Sequence, residues 1–562
     1  MSRRYEPGTL VIETTWSTDT GWVVVRDALS IAEWIRRDPD GGSEPSHESD
    51  FSLVRVATCV EGESTIELMC EPRFEYGSEA VVWRQGGFGE AMAEGAGTRV
   101  ALNTDLDLTL GQGRADATIH LKEGQSCFCA LAWGRGIDSR TRSAPEATER
   151  IDETVESWRQ WLADGSFPDH PWRIHLQRSA LVLKGLIYAP TGAMLAAATT
   201  SLPETPGGER NWDYRFSWIR DSTFALWALH SLGFEDEAHG FLRFVRARAM
   251  ESDGDLQIMY GIGGEHDLTE KTLDHLSGYE GAKPVRIGNG AYSQRQNDVW
   301  GALMDAIYVN RLTLSEESDS EESRQLVLRL VREAIEAWPE PDQGIWEARG
   351  EPKHYVSSKL MIWVAVDRGA RLAEQYGSPE VAEDLRETAG RIKAEIIEKG
   401  CRDGVFRQHY DTDALDASVL LMPLVRFLPH DDERIRKTVL AVREGLDDRG
   451  MILRYVTGET DDGLHGREGT FLICSFWMVS ALSEIGEAAE ARRLCERLLS
   501  SAGSLDLFAE EIDPGTNRHL GNFPQAFTHL ALINAVSHVI ADERREAGPG
   551  GATAVFSEIR NA

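Results

Sequence analysis

From residue 171 onward the chain reads as twelve helical segments whose connections alternate strictly between short and long, and few folds accommodate that pattern. Apolar periodicity places the helices at 172–189, 217–232, 235–251, 295–314, 320–337, 356–376, 379–399, 415–428, 431–446, 470–485, 487–502 and 524–542. The links before the third, fifth, seventh, ninth and eleventh are a few residues long. Those before the even-numbered helices run from about fifteen residues to over forty. Short links make antiparallel neighbours, so every long loop falls at the same end. The even-numbered helices are also the more apolar, as an inner ring is. A weak internal repeat, Ala228-Leu…Gly233…Glu237-Ala238 against Ala481-Leu…Gly486…Glu490-Ala491, agrees in register. The pattern predicts an (α/α)6 toroid over 171–545 with one functional rim. A straight helical solenoid would not put the long loops on one side only.

The first 134 residues have a different period. Alternating, β-branched runs at 9–17, 21–29, 52–60, 64–74, 80–84, 98–106, 115–121 and 126–133 are separated by turn residues, which predicts an antiparallel β-sandwich. The stretch 38–50 reads as a loop insertion. Residues 135–170 read as a linker whose helix (144–164) sets Ile151, Val155, Trp158 and Leu162 on one face packed on a neighbour. Residues 546–562 read as a solvated tail. The expectation is therefore a multi-domain chain.

Composition mainly excludes. With 92 acidic against 59 basic residues the net charge is -33, and such a surface repels phosphate backbones and anionic headgroups. No nucleic-acid or membrane partner is expected. Seven cysteines without repeated spacing suggest no disulfide framework, and Cys127 and Cys129 read as strand packing rather than a metal site. No apolar segment follows Arg3-Arg4, so a signal peptide is not expected and the cytoplasm is the predicted location. No metal, phosphate-loop or nucleophile-elbow spacing is present, and no cofactor is predicted. The 16 tryptophans point elsewhere, because indole rings beside carboxylates often line sugar-binding clefts.

The long loops carry that chemistry. The loop before the second helix holds Trp212, Trp218, Arg220 and Asp221. Stacking faces, a guanidinium and a carboxylate are what a neutral polyol needs, although Asp221 also stands where a helix cap would. Glu347 follows Ile345 and Trp346, and desolvation there would give a carboxyl suited to general-acid work. An ion pair between Glu347 and Arg349 on a solvated turn is the other reading. Glu510 and Glu511 lie between apolar Phe508 and Ile512, with Glu468 as a rival carboxylate. Asn297, Asp298 and Arg454 complete the polar rim. Two carboxylates on opposite sides of a ring mouth suffice for glycoside hydrolysis, one protonating the leaving oxygen and one activating water.

These segments resemble glycoside hydrolase family 15, the glucoamylases and bacterial trehalases. The resemblance rests on Asn211-Trp-Asp-Tyr-Arg…Trp218-Ile-Arg-Asp221, Gln296-Asn-Asp298, Gly344-Ile-Trp-Glu347, Glu468-Gly-Thr-Phe471, Glu510-Glu-Ile-Asp513 and Gly521-Asn-Phe-Pro-Gln-Ala-Phe. It implies an (α/α)6 barrel, preceded in bacteria by a β-sandwich, with Glu347 as general acid and Glu510 as general base. Arg220 and Asp221 then grip the non-reducing glucose, with Arg454 as a further sugar contact. Glu511 stands where many glucoamylases have Gln, which bears on the choice of base. The relatives carry additional sandwich sequence before the stretch resembling Tyr5–Trp16, so the chain is expected to begin inside its sandwich.

The activity this implies is that of an exo-acting, inverting α-glucosidase releasing glucose from a small carbohydrate substrate, either trehalose or a maltooligosaccharide or glucan. A glycoside phosphorylase is the nearest different reaction class, but a Glu at 510 occupies the place where it would need phosphate. A non-catalytic helical scaffold would need neither carboxylate.

Overall fold

Period-two alternation builds the first part of the chain, as its burial shows in a computed structural model describing residues 1–31, 51–134, 141–251, 256–313, 321–464, 466 and 468–547. The predicted insertion at 38–50 and nearly all of the 546–562 tail lie outside the described residues. Contacts divide the chain into two units, Met1–Gly165 and Ser166–Ala562.

The first unit is antiparallel throughout. Its strands are β1 (Ser2–Tyr5), β2 (Ile12–Ser17), β3 (Gly21–Leu29), β4 (Ser52–Cys70), β5 (Val82–Gln85), β6 (Glu90–Gly95), β7 (Thr98–Thr104), β8 (Thr109–Leu110), β9 (Ala115–Lys122) and β10 (Ser126–Trp133). Hydrogen bonding runs β1-β2-β3-β4-β10-β7-β6-β5, while β9 pairs with the far half of β4 and with β8. The 52–60 and 64–74 runs are thus one strand that changes sheet at Gly62. There φ is +69°, and a Cβ would sit 2.2 Å from the Thr20 carbonyl oxygen, so only glycine makes the bend.

Alternate residues of β10 divide between two cores. Cys127 joins Val23, Cys59, Leu102 and Leu121, with Cys129 and Leu131 packed against them. Phe128 and Ala130 face the other way with Val54 and Val56, where Ala147, Ile151 and Val155 of helix α1 (Ala144–Ala163) cover them. The helix read as a linker therefore caps its own sheet. Burial pushes the Cys127 thiol up to about 11 and the Cys129 thiol up to about 12.

The second unit contains α2 (Arg173–Leu186), α3 (Ser222–Ser231), α4 (Glu235–Glu251), α5 (Asp298–Thr313), α6 (Glu321–Ala337), α7 (Val356–Gln375), α8 (Pro379–Gly400), α9 (Leu421–Leu424), α10 (Glu433–Gly445), α11 (Leu472–Glu484), α12 (Ala488–Ser500) and α13 (Ala526–Ala547). The inner ring closes on itself. Helix α3 packs on α5, α5 on α7, α7 and α11 on the turn Ala417–Leu420 that leads into α9, α11 on α13, and α13 on α3. Outside it, α4 packs on α3, α8 on α7 and α12 on α11, while α2 and α13 join the two ends of the unit. All residues of α11 are buried, as an inner position requires. The repeat seen in the sequence is the same inner-to-outer corner made twice, at Gly233 (φ +80°) and Gly486 (φ +84°).

Two helical segments of the second unit depart from the sequence reading. The segment 415–428 is a 3₁₀ turn and a short helix rather than one continuous helix, because Pro423 has no N–H to donate and Asp416 caps Ser418 at 2.7 Å. The segment 217–232 turns helical only at Ser222, because Ser217 and Trp218 pair with Tyr260 and Met259.

Candidate active site

The long loops line a space of about 790 Å³, counted with the solvent it opens to, whose walls are about as apolar as polar. Trp212, Trp218, Arg220 and Asp221 line it from one loop, Trp346 and Glu347 from a second, Arg454 from a third and Glu510 from a fourth. Glu204, Arg210, Tyr214, Arg349, Phe471, Gln525 and Phe527 line it too. Asn297, Asp298, Glu468 and Glu511 do not.

Glu510 is held by the strand it precedes. Its backbone N donates to the Asn522 carbonyl at 3.2 Å, and its carbonyl accepts from Leu472 N at 3.0 Å. The next residues, Glu511–Asp513, pair with Thr470–Phe471 and with Arg518–Leu520. Oε1 of Glu510 accepts from Tyr214 Oη at 2.6 Å and from Gln525 Nε2 at 3.3 Å, whereas the buried Oε2 has no partner among the described residues. Burial raises its pKa well above the ordinary carboxylate range, with Glu204 adding to the rise and Tyr214 opposing it. An extended backbone turns neighbouring side chains to opposite faces, so Glu511 points away and accepts from Gly469 N at 2.7 Å.

Glu347 sits in the left-handed region (φ +58°), a conformation that costs a non-glycine residue energy and that packing must enforce. Its company is polar rather than apolar. Oε1 accepts from Trp218 Nε1 at 2.8 Å and lies 3.6 Å from Arg220 Nη2. Trp346 instead turns its N–H to Asp416, at 2.9 and 3.1 Å, and its ring to Phe471 and Trp477. No ion pair joins Glu347 to Arg349 among the described residues, because Arg349 reaches Glu270 at 3.3 Å.

Arg220 is fixed from several sides. Nη1 donates to the Ile345 carbonyl at 2.8 Å and to Gln296 at 3.3 Å, and Asp221 and Asp298 lie 3.7 and 3.9 Å away. Asp298 thus supports Arg220 from behind. Asp221 makes no side-chain cap bond to α3, so capping does not explain it. Burial pushes its carboxyl up to about 7 despite Arg220, with Glu347 and Asp298 adding to the rise. Asn297 is structural in its contacts: its side chain donates to the Ala337 and Glu340 carbonyls, and its backbone N donates to Asp342 at 2.7 Å.

Glu204 on the pocket wall and Glu468 and Glu511 outside its lining bring one oxygen each within 4.8 Å of one another, the group among the described residues that could hold a metal ion. Positive charge is already supplied there. Arg454 forks Glu468 at 2.9 and 2.6 Å, and Arg210 lies 3.6 Å from Glu468 and 2.8 Å from Asp462. Burial pushes Glu204 up to about 7 and Glu511 well above the ordinary carboxylate range, with the neighbouring carboxylates adding to both rises and Arg454 opposing them.

Raised carboxyl pKa values give a signed prediction. The contribution of Glu204 and Asp221 is fully present below their unfolded values and is lost as pH climbs to about 7. The unliganded protein should therefore melt at lower temperature as pH rises from about 5 to about 7.5, and Glu204→Gln should flatten that fall. Calorimetric melting of both proteins across this range checks it; identical pH slopes would contradict it.

Glu204 was not visible in the sequence, since a lone Glu between Pro203 and Pro206 has no pattern to betray it. In the structure it anchors Trp212, accepting from Nε1 at 2.8 Å. Tyr214 and Gln525 lay inside motifs already singled out, yet only the fold shows that both hold Glu510.

The family model of Glycosyl hydrolases family 15 matches residues 172–537. A trehalase from Mycobacterium tuberculosis is 53% identical over 566 residues, covering 98% of this chain and 82% of that protein. A trehalase from Mycolicibacterium smegmatis is 51% identical, covering 98% of this chain and 84% of its own. In fold, the chain is similar to a bacterial glucoamylase solved with acarbose, with a TM-score of 0.73 at 14% identity over 96% of this chain and 85% of that one.

Proposed function

We propose, for a chain that belongs to glycoside hydrolase family 15, the hydrolysis of α,α-trehalose with inversion at the attacked carbon. The chain is a glycoside hydrolase of the α-glucosidase type. The observation that carries the reading is the placement of two carboxylates from different loops, Glu347 and Glu510, on one pocket whose other polar groups suit a single sugar.

Each residue then has a task. Arg220 and Asp221 hold hydroxyls of the glucose to be released, with Trp218 and Phe527 beside them. Glu510 accepts a proton from water, and the hydroxide equivalent forms a bond to the anomeric carbon. The glycosidic bond breaks, and Glu347 gives its proton to the departing oxygen. Solvent returns the proton from Glu510 to Glu347 afterwards. The raised pKa of Glu510 makes it a stronger base than an ordinary carboxylate. Glu468 is already engaged by two arginines and Glu511 faces away, which favours Glu510 among the three. A pocket rather than an open groove suits exo-action.

Two trehalases more than 50% identical over nearly the whole chain support trehalose over maltooligosaccharides. Among the described residues no helix is long and apolar enough to cross a membrane. Glucose release from trehalose, maltose, maltotriose and isomaltose, with and without phosphate and Mg²⁺, tests the proposal. Trehalose should be the best substrate and glucose the sole product. Phosphate-dependent release of glucose 1-phosphate would make the enzyme a phosphorylase instead.

A further inference from the structure

Arg349 lines the pocket but has no task in the chemistry above. Its backbone N donates to the Asp462 carbonyl at 2.7 Å, and Nη2 donates to Glu270 at 3.3 Å. The guanidinium carbon stands 4.9 Å from the Trp212 ring centroid. Arg286 makes the same two contacts, 3.2 Å from Glu270 and 4.6 Å from the ring. Glu270 therefore bridges two guanidinium groups against one indole. A guanidinium carries five N–H donors, and Nε and Nη1 of Arg349 donate to nothing among the described residues.

Exposure orders the pocket. The side chain of Arg220 is 14% exposed, that of Glu347 20% and that of Arg349 29%. With a sugar seated on Arg220 and Asp221 the leaving oxygen lies at Glu347, and Arg349 is a more exposed pocket residue two positions along the same loop. We propose that Arg349 is a specificity-determining residue of the leaving-group subsite, donating hydrogen bonds from its guanidinium to hydroxyls of the departing sugar. This rests on the glycosidase reading above. The anchor at Glu270 and the stack on Trp212 fix the side chain in advance, so little rotamer freedom is lost when the sugar arrives. A planar fork can hold two adjacent hydroxyls, which an ammonium cannot do.

The test is the ratio of kcat/KM on trehalose to kcat/KM on α-glucosyl fluoride, whose leaving group has no hydroxyls, for wild type, Arg349→Ala and Arg349→Lys. The ratio should fall about 10- to 100-fold in Arg349→Ala and less in Arg349→Lys, with the alkaline limb of the trehalose pH profile in place. An unchanged ratio overturns the proposal. So does a shifted alkaline limb, which would put Arg349 on the proton of Glu347 instead. Fluoride turnover by each variant shows that it folds. Should the wild type cleave fluoride but not trehalose, the substrate reading fails, and the same ratio taken with the disaccharide it does cleave still decides Arg349.

Discussion

Replacing Glu510 with Gln is expected to lower kcat on trehalose by about a thousandfold or more, while binding changes little. The amide keeps the size of the carboxylate, and its carbonyl oxygen can still accept from Tyr214, whose hydroxyl now lies 2.6 Å from Oε1. What it cannot do is take a proton from water. Steady-state kinetics beside calorimetric titration of trehalose separate the two effects. If Glu468→Gln or Glu511→Gln removes turnover while Glu510→Gln retains it, the base has been assigned to the wrong carboxylate. The bonds from Arg454 to Glu468 and from Gly469 to Glu511 argue against that outcome.

Glu347→Gln is expected to cost about 10²- to 10⁴-fold on trehalose and much less on α-glucosyl fluoride. A departing sugar alkoxide needs the proton that Glu347 gives, whereas fluoride leaves without one. The alkaline limb of the wild-type pH profile should disappear in this variant, which distinguishes it from Arg349→Ala. Equal losses on both substrates would mean that Glu347 positions the sugar through Trp218 and Arg220 rather than donating a proton.

The architecture was more legible than the site, for a physical reason. Burial of one helix face leaves a 3.6-residue period, and ring closure leaves alternating loop lengths, so both survive in the order of residues along the chain. The glycine corner at Gly233 and Gly486 is legible for the same reason: it is a local backbone demand made twice. The strand β4 misleads because Glu61-Gly-Glu63 has the composition of a turn, and only pairing with β3 and β9 shows the strand continuing through a bend there into another sheet. Helix α1 misleads in another way, since its apolar stripe says that it packs but not on what.

Within the site, the residues found from sequence are those packed densely into one loop with aromatic neighbours, such as Trp218, Arg220 and Asp221. Glu204, Gln525 and Phe527 act only because the ring brings distant loops together: nothing beside Glu204 in the sequence marks it, and the motif that holds Gln525 and Phe527 does not say what they touch. The polar surroundings of Glu347 were hidden likewise. Trp346 is its neighbour in sequence, but the left-handed backbone at Glu347 lets the two side chains part, one to Asp416 and one to Trp218.

The most direct measurement is proton NMR of the first glucose formed from α,α-trehalose. Both anomeric carbons of the substrate are α; inversion converts the attacked one to β, and the departing glucose keeps its own C–O bond and stays α. Equal amounts of α- and β-glucose at the earliest time point are predicted, before mutarotation blurs the ratio. Initial release of α-glucose alone would require retention through a covalent intermediate and would contradict the roles given to Glu347 and Glu510.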